Sequence, residues 1–151
     1  MATEFRVRDF SRSRFAHRRF PKLFKKLVVE PNTKRRQVDF LLYYRDKLVG
    51  YAEVEVKLVW KRKVWPEKYP NVQFPGRKAH FARTKLPTFM VMFNASGSNA
   101  LVVDAKTMRA SPLVSRWTRR GTDLLFQVPL DKLAFGSEGI EQYILKHLRL
   151  S

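Results

Sequence analysis

The sequence contains no cysteine, three histidines, six scattered glycines and far fewer acidic than basic residues. Without cysteine the chain has no disulfide, no thiolate metal site and no cysteine nucleophile. His17, His80 and His147 are too far apart in sequence to suggest a histidine-rich metal site, and we expect each to be structural. Isolated glycines exclude a glycine-rich phosphate loop. No uninterrupted apolar run approaches the roughly 18 residues of a membrane-spanning helix, so we expect a soluble, cytoplasmic protein with no membrane partner.

Positive charge is in large excess. Thirty-one Lys and Arg against 13 Asp and Glu give a formal net charge of +18 over 151 residues. An imbalance of this size makes a polyanion, above all nucleic acid, the expected partner. The length suits one domain, and a hydrophobic content of 44% can supply its core. We therefore predict a single domain over residues 1–151, with a basic N-terminal arm at about residues 1–19. This arm is either a disordered segment that follows a groove or an extended segment that becomes ordered only on the nucleic acid.

The order of hydrophobic patterns predicts a mixed α/β or α+β domain. Apolar residues at helical spacing from Phe20 to Val28 predict a short amphipathic helix that ends at Pro31-Asn32. Extended runs over 38–44 and 48–58, separated by Arg45-Asp46-Lys47, predict an antiparallel hairpin. The remaining predicted elements are a loop over 61–76, a short helix over 77–83, strands over 88–93, 101–103 and 124–128, and a helix from about residue 140.

Three of the few acidic side chains fall on facing strands of this hairpin. Alternation along the second strand puts Glu53, Glu55 and Lys57 on one face. A turn centred near Asp46 puts Asp39 opposite Glu53, with Glu55 one diagonal step away. Converging carboxylates repel each other, and a hard divalent cation relieves that repulsion. We therefore interpret the three acids as candidate ligands of Mg²⁺, for which Mn²⁺ could substitute, and Lys57 as a cation beside an attacking water and a scissile phosphate.

The pattern Val38-Asp39-Phe40, followed after a turn by Glu55-Val56-Lys57, resembles the PD-(D/E)xK nuclease superfamily. The resemblance covers roughly residues 20–105, and from "GYAEVEVK" through "RKAHF" to "FMVMFN" it is similar to small phage and homing-endonuclease-type members. It implies a restriction-endonuclease-like core, with a helix, a three-stranded meander, a second helix and a further strand forming a central mixed sheet flanked by helices.

The same resemblance implies a function. It implies a Mg²⁺-dependent endonuclease that hydrolyses DNA, with Asp39 and Glu55 as metal ligands and Lys57 as the residue that assists the hydrolytic water. It also implies a phage-encoded protein in the host cytoplasm that cuts double-stranded DNA as a homo-oligomer, because one active site cuts one strand.

The chain departs from the family pattern at two positions and matches it at a further one. Val38 stands where many members have proline, and Glu53 is an additional acid that is either the true ligand or a second one. Glu30, at the end of the predicted first helix, matches an auxiliary acid that some members carry there.

Basic residues flank the acidic hairpin and recur later in the chain. The helix over 77–83, which includes His80, either contacts phosphates or presents a solvated face. Trp117 either stacks on a base or anchors its loop to the core, and we expect the anchoring role. The candidate nucleic-acid-binding residues are Lys34, Arg35, Arg36, Lys61, Arg62, Lys63, Arg77, Lys78, Arg83, Arg116, Arg119 and Arg120.

A simpler interpretation of the acidic residues stays open. Alternating Glu and Lys are common on solvated strand faces, where Glu53 and Lys57 would offset each other's charge. The protein would then be a non-catalytic basic nucleic-acid-binding protein of the ribosome- or nucleoid-associated type, or a nuclease fold retained for binding alone.

Overall fold

The computed structural model describes residues 14–34 and 37–150, and the strands of this part of the chain form two β-sheets. The strands are β1 (Val28–Pro31), β2 (Phe40–Tyr44), β3 (Lys47–Lys57), β4 (Asn71–Pro75), β5 (Thr88–Asn94), β6 (Ala100–Asp104), β7 (Leu113–Thr118), β8 (Gly121–Pro129) and β9 (Ala134–Phe135). The larger sheet has the order β1-β2-β3-β5-β6-β9, and the smaller one has the order β4-β8-β7.

Helices are short in this fold. Residues 14–19 are helical and continue into a 3₁₀ turn at Phe20–Leu23. The others are a 3₁₀ helix at Gly76–Arg83, α1 (Ala105–Ala110), a 3₁₀ turn at Leu130–Lys132 and α2 (Ser137–His147). Among the described residues, none of the helices has the length and apolar character needed to cross a membrane. The mixed α+β class is confirmed.

The larger sheet begins as an antiparallel meander, β1–β2–β3, and β5 then lies parallel to β3. The chain reaches β5 through β4 and the 3₁₀ helix Gly76–Arg83. This connection is long because a parallel neighbour cannot be reached through a tight turn. The C-terminal end of β3 and the N-terminal end of β2 therefore lie at the same end of the sheet as the C-terminal ends of β1 and β5.

The hairpin register depends on a bulge. Arg45 and Asp46 form a two-residue turn with positive φ values of 49° and 64°, a geometry that matches the twist of the flanking strands. Between Leu42 and Tyr43 the pairing shifts by one residue, so that Phe40 faces Ala52. Continuing this register brings Asp39 opposite Glu53, as predicted.

Apolar clusters cover both faces of the larger sheet. One contains Ala52 and Val54 of β3 and packs against α2 and the N-terminal helical segment. The other contains Met90 and Met92 of β5 and packs against the smaller sheet. Trp60, in the loop after β3, is fully buried in this second cluster.

Two predicted elements are wrong. The helix predicted from Phe20 to Val28 stops after one 3₁₀ turn, and β1 starts at Val28. The backbone N–H groups of Lys25, Lys26 and Leu27 donate to the buried carboxylate of Glu141 instead of to a helix. The loop predicted over 61–76 contains β4, whose partner β8 lies about 50 residues further along the chain. The strands β7 and β9 and the helix α1 were not predicted.

Candidate active site

Asp39 and Glu53 lie side by side where β2 begins. The backbone N–H of Asp39 donates to Oε2 of Glu53 across 2.7 Å, and Oδ2 of Asp39 accepts from the N–H of Val54 at 2.9 Å. Burial, together with the adjacent Asp39 carboxylate, raises the pKa of Glu53 from 4.5 to about 8. Glu53 therefore keeps its proton at neutral pH, because burial and the neighbouring Asp39 carboxylate both oppose its ionisation.

His17 approaches the same pair from the N-terminal helical segment. Its Nε2 lies 3.7 Å from Oδ2 of Asp39, and its ring packs on Phe40 with the ring centroids 5.1 Å apart. We expected His17 to be structural, and the sequence pattern gave no sign of this contact, which joins residues 22 positions apart.

Glu55 carries an unsatisfied carboxyl oxygen. Its Oε2 forms an ion pair with Nζ of Lys78 at 3.2 Å, whereas its Oε1 is buried and has no hydrogen-bond partner among the described residues. Such groups are rare in folded proteins because they lose their hydration without compensation. Glu55 therefore has one carboxyl oxygen that no group in the described part of the chain satisfies.

Lys78 belongs to this site and not to an exposed basic face. Its side chain is only 12% exposed, and its charge lowers the pKa of Glu53, against the larger effects of burial and Asp39. The predicted contact of Lys78 with nucleic acid stays a prediction. The 3₁₀ helix Gly76–Arg83 turns Lys78 towards β3, a contact that sequence spacing does not reveal.

Lys57 lies at the end of β3, half-buried. Burial lowers the pKa of its ammonium group, Glu55 opposes this effect, and Arg116 adds to the lowering. Lys57 and Arg116 also line one cavity. The predicted common face of Glu53, Glu55 and Lys57 agrees with the strand pairing, in which Glu53 and Glu55 lie beside Met90 and Met92 of the second cluster.

The donor chemistry of these acids fits Mg²⁺, although the side chains are not already arranged around an ion. Within residues 14–34 and 37–150, no three His, Cys, Asp or Glu side chains form a group that could hold a metal. Asp39 and Glu53 face each other, and Glu55 is paired with Lys78. The site nevertheless supplies hard carboxylate oxygens, one of them without a partner, and these are the ligands that Mg²⁺ prefers.

Exposed cations surround this end of the larger sheet. Lys34 follows β1, and residues 61–63 (Lys-Arg-Lys) follow β3, so both loops project from the end that holds Asp39 and Lys57. The side-chain amides of Asn94 and Asn99 donate to the backbone carbonyls of Arg62 and Lys63 and fix the second loop. Arg35, Arg36 and most of the predicted basic arm lie outside the described residues.

Trp117 projects from a basic hairpin. It lies near the tip of the β7–β8 hairpin with Arg116, Arg119 and Arg120, and 79% of its surface is exposed. The expectation that Trp117 anchors its loop to the core is therefore wrong. The tip of the hairpin extends beyond β4, because residues 121–124 of β8 pair only with β7, whereas residues 125–129 also pair with β4.

Arg77 and Arg83 do not reach the acidic residues. Both are exposed on the 3₁₀ helix that directs Lys78 inwards. Arg77 and Arg109 line a separate cavity of about 870 Å³, bounded by the β7–β8 hairpin, that includes none of the three acids. His80 packs on the ring of Phe81 and contacts the carbonyl of Arg77, in keeping with a structural role.

The chain matches no protein-family model, and neither the curated proteins nor the solved structures include a match to it.

Glu30, compared above with an auxiliary acid at a helix end, is instead an exposed residue of β1.

Proposed function

We propose that this protein is a Mg²⁺-dependent endonuclease that hydrolyses DNA phosphodiester bonds. The observation that carries the proposal is the buried, unpartnered Oε1 of Glu55 on the strand face that also holds Glu53 and Lys57. The raised pKa of Glu53 beside Asp39 supports it, because strongly shifted acids are typical of functional sites, and a cation bound beside the pair would favour the ionised form that burial and Asp39 oppose.

The fold gives further support to a restriction-endonuclease-like core. A helical segment precedes the meander β1–β2–β3, and a second helix leads to β5 beside β3. Asp39 stands at the start of the middle meander strand, and Glu55-Val56-Lys57 ends the third. This is the order of elements and motif residues on which the family resemblance rests.

Each side chain has a role that follows from its position. Asp39 and Glu55 would hold Mg²⁺ with Glu53 as an additional ligand, and the bound ion would neutralise phosphate charge and lower the pKa of a water. Lys57 follows Glu55 by two residues on the same face of β3, where its ammonium group would hold the attacking water and the phosphate oxygens. Lys78 fixes the Glu55 carboxylate, leaving Oε1 free. Lys34 and residues 61–63 would hold the phosphate backbone over the site.

A plasmid-cleavage assay tests the proposal. The purified protein should nick or linearise plasmid DNA with Mg²⁺ or Mn²⁺, and EDTA should stop the reaction. Lys57→Ala, Asp39→Asn and Glu55→Gln should each lower the cleavage rate by about 10²-fold or more while the fold is retained. Lys47→Ala, which removes an exposed lysine at the other end of β3, is the matched control. Cleavage that persists in EDTA or in the Asp39 and Glu55 variants would refute the proposal.

A second candidate function is non-catalytic binding of nucleic acid. The net charge of +18 favours it, because an excess of basic residues attracts a polyanion without any catalytic group. Binding should then weaken steeply with salt, by about 10³-fold or more between roughly 50 and 200 mM if six or more phosphates are contacted. Tight, salt-dependent binding without any metal-dependent cleavage would favour this function over the first.

A further inference from the structure

A cavity of about 320 Å³ lies directly beside Lys57. Trp65 and Tyr69 of the loop after β3 line it together with Asn71 and Gln73 of β4, and Arg116 of β7 lies across from them. Its volume falls at the lower end of the range typical of small-ligand sites. Because Lys57 lines both this cavity and the acidic site, whatever enters the cavity lies next to the proposed point of cleavage.

The strand β4 directs two free amide groups into the cavity. Val72 and Phe74 are fully buried in the second apolar cluster, so alternation turns Asn71 and Gln73 away from the core. Neither side-chain amide forms a hydrogen bond with another residue in the described part of the chain. Each amide offers both a donor and an acceptor, which is what the edge of a nucleobase requires of a protein.

An aromatic wall stands next to these amides. The indole N–H of Trp65 donates to the carbonyl of Tyr69 at 2.8 Å, and its ring packs edge-on against the fully buried Trp60, with centroids 5.3 Å apart. Trp65 is therefore held in one orientation while remaining partly exposed to the cavity. A fixed aromatic ring of this kind offers a stacking surface for a base.

The charged residues that line the cavity are suited to the phosphate group of a nucleotide. Lys57 and Arg116 are its charged lining residues, and no acidic side chain lines it among the residues described. The cations can hold a phosphate, while Trp65 and the amides of Asn71 and Gln73 face a base. A site for a simple anion would need only Lys57 and Arg116, and neither the aromatic ring nor the amides.

We propose that this cavity binds one unstacked nucleobase of the substrate strand, stacked on Trp65 and hydrogen-bonded by Asn71 and Gln73, with its phosphate at Lys57 and Arg116. The inference deepens the proposed nuclease function and rests on it, because it makes the cavity the place where the base next to the cut is recognised. The substrate strand must then be locally unpaired at this nucleotide.

Titration of the full-length protein with single nucleotides tests the cavity without any cleavage. The four 5′-nucleoside monophosphates are added without metal, and the ¹H–¹⁵N signals of the Asn71 and Gln73 amides and of the three tryptophan indoles are followed. We expect at least one nucleotide to shift the amide signals and that of Trp65, which Trp65→Phe identifies. Inorganic phosphate should leave these signals in place. Equal shifts with phosphate alone, or no shifts with any nucleotide, would overturn the proposal.

A double variant assigns the binding to the amides. Asn71→Ala combined with Gln73→Ala should weaken nucleotide binding by about tenfold through the lost hydrogen bonds. The control is Gln142→Ala, an exposed amide on α2; equal weakening by the control would count against the cavity. If plasmid cleavage fails but the titration succeeds, the nuclease proposal falls and the base-binding cavity stands. If cleavage succeeds but no nucleotide binds, only the cavity is refuted.

Discussion

Oε2 of Glu53 accepts a 2.7 Å hydrogen bond from the backbone N–H of Asp39, which holds the two carboxyl groups side by side on adjacent strands. The contact depends on the bulge between Leu42 and Tyr43, because without the one-residue shift Asp39 would face a different residue of β3. The hairpin thus brings two carboxyl groups so close together that ionising both is unfavourable, even in a strongly basic protein.

The raised pKa of Glu53 should make the stability of the protein fall with rising pH. The folded protein keeps a proton on Glu53 up to a pKa of about 8, whereas the unfolded chain releases it near 4.5. The folded state binds more protons between these values, so its stability is fully present below pH 4.5 and declines up to about pH 8. Glu53→Gln should remove the decline and, because the half-buried site is partly screened, stabilise the protein by about 1–2 kcal/mol at pH 8.

Urea unfolding at both ends of this pH range measures the effect. Glu67→Gln, in the exposed loop after β3, is the control and should leave the pH dependence unchanged. A Glu53→Gln variant that is no more stable than the wild type at pH 8 would show that ionising Glu53 next to Asp39 does not destabilise the folded protein.

Trp117 should contribute to nucleic-acid binding and not to stability. With 79% of its surface exposed, Trp117→Ala should change the free energy of unfolding by less than about 0.5 kcal/mol. If the ring stacks on one base, the same change should weaken binding about tenfold. Fluorescence anisotropy of a labelled oligonucleotide without metal measures this. Val64→Ala alters a similarly exposed apolar residue, 78% exposed, and should have no effect; an unchanged affinity for Trp117→Ala would contradict the stacking role.

Local patterns predicted the hairpin and its polar face. The alternation of Glu53, Glu55 and Lys57 is a property of neighbouring residues, and it survives in β3 unchanged. The facing position of Asp39 was also predicted, but from a symmetric turn. The structure reaches it through a two-residue turn and a compensating bulge. Short-range patterns thus predicted the acidic face without predicting how its register is set.

Contacts distant in sequence account for the failures. The segment after Leu23 has a helical apolar pattern, but Glu141, more than 110 residues away, binds the N–H groups that a helix would use. The strand β4 depends on β8 in the same way. Lys78 looked like one more surface cation until the fold paired it with Glu55. No pattern within a short window contains these partners.

Glu141 should be a major source of stability. One of its carboxyl oxygens accepts from the N–H groups of Lys25, Lys26 and Leu27 at 3.0, 2.9 and 3.1 Å, and the residue is buried. Glu141→Ala leaves these donors unpaired and should cost about 3 kcal/mol, because hydrogen bonds to a charged group are among the stronger ones. Chemical denaturation measures the loss. Glu138→Ala, an exposed acid in the first turn of α2, should cost only about 0.5 kcal/mol, and equal losses would refute the assignment.

Asp104 should make the opposite contribution to the pH dependence of stability. Its burial tends to raise the pKa, but hydrogen bonds from Thr107 and Tyr143, together with His147 at 3.1 Å, outweigh burial and lower it from 3.8. A lowered pKa means stability that is present above pH 3.8 and lost as the pH falls through the folded value. Asp104→Asn still caps α1, so its cost of about 1–3 kcal/mol at neutral pH reflects the lost charge facing Tyr143 and His147. Denaturation at neutral and acidic pH should show the difference in unfolding free energy between the wild type and Asp104→Asn shrinking in acid. A difference that does not depend on pH would mean that packing, and not the ionisation of Asp104, holds α2 to β6.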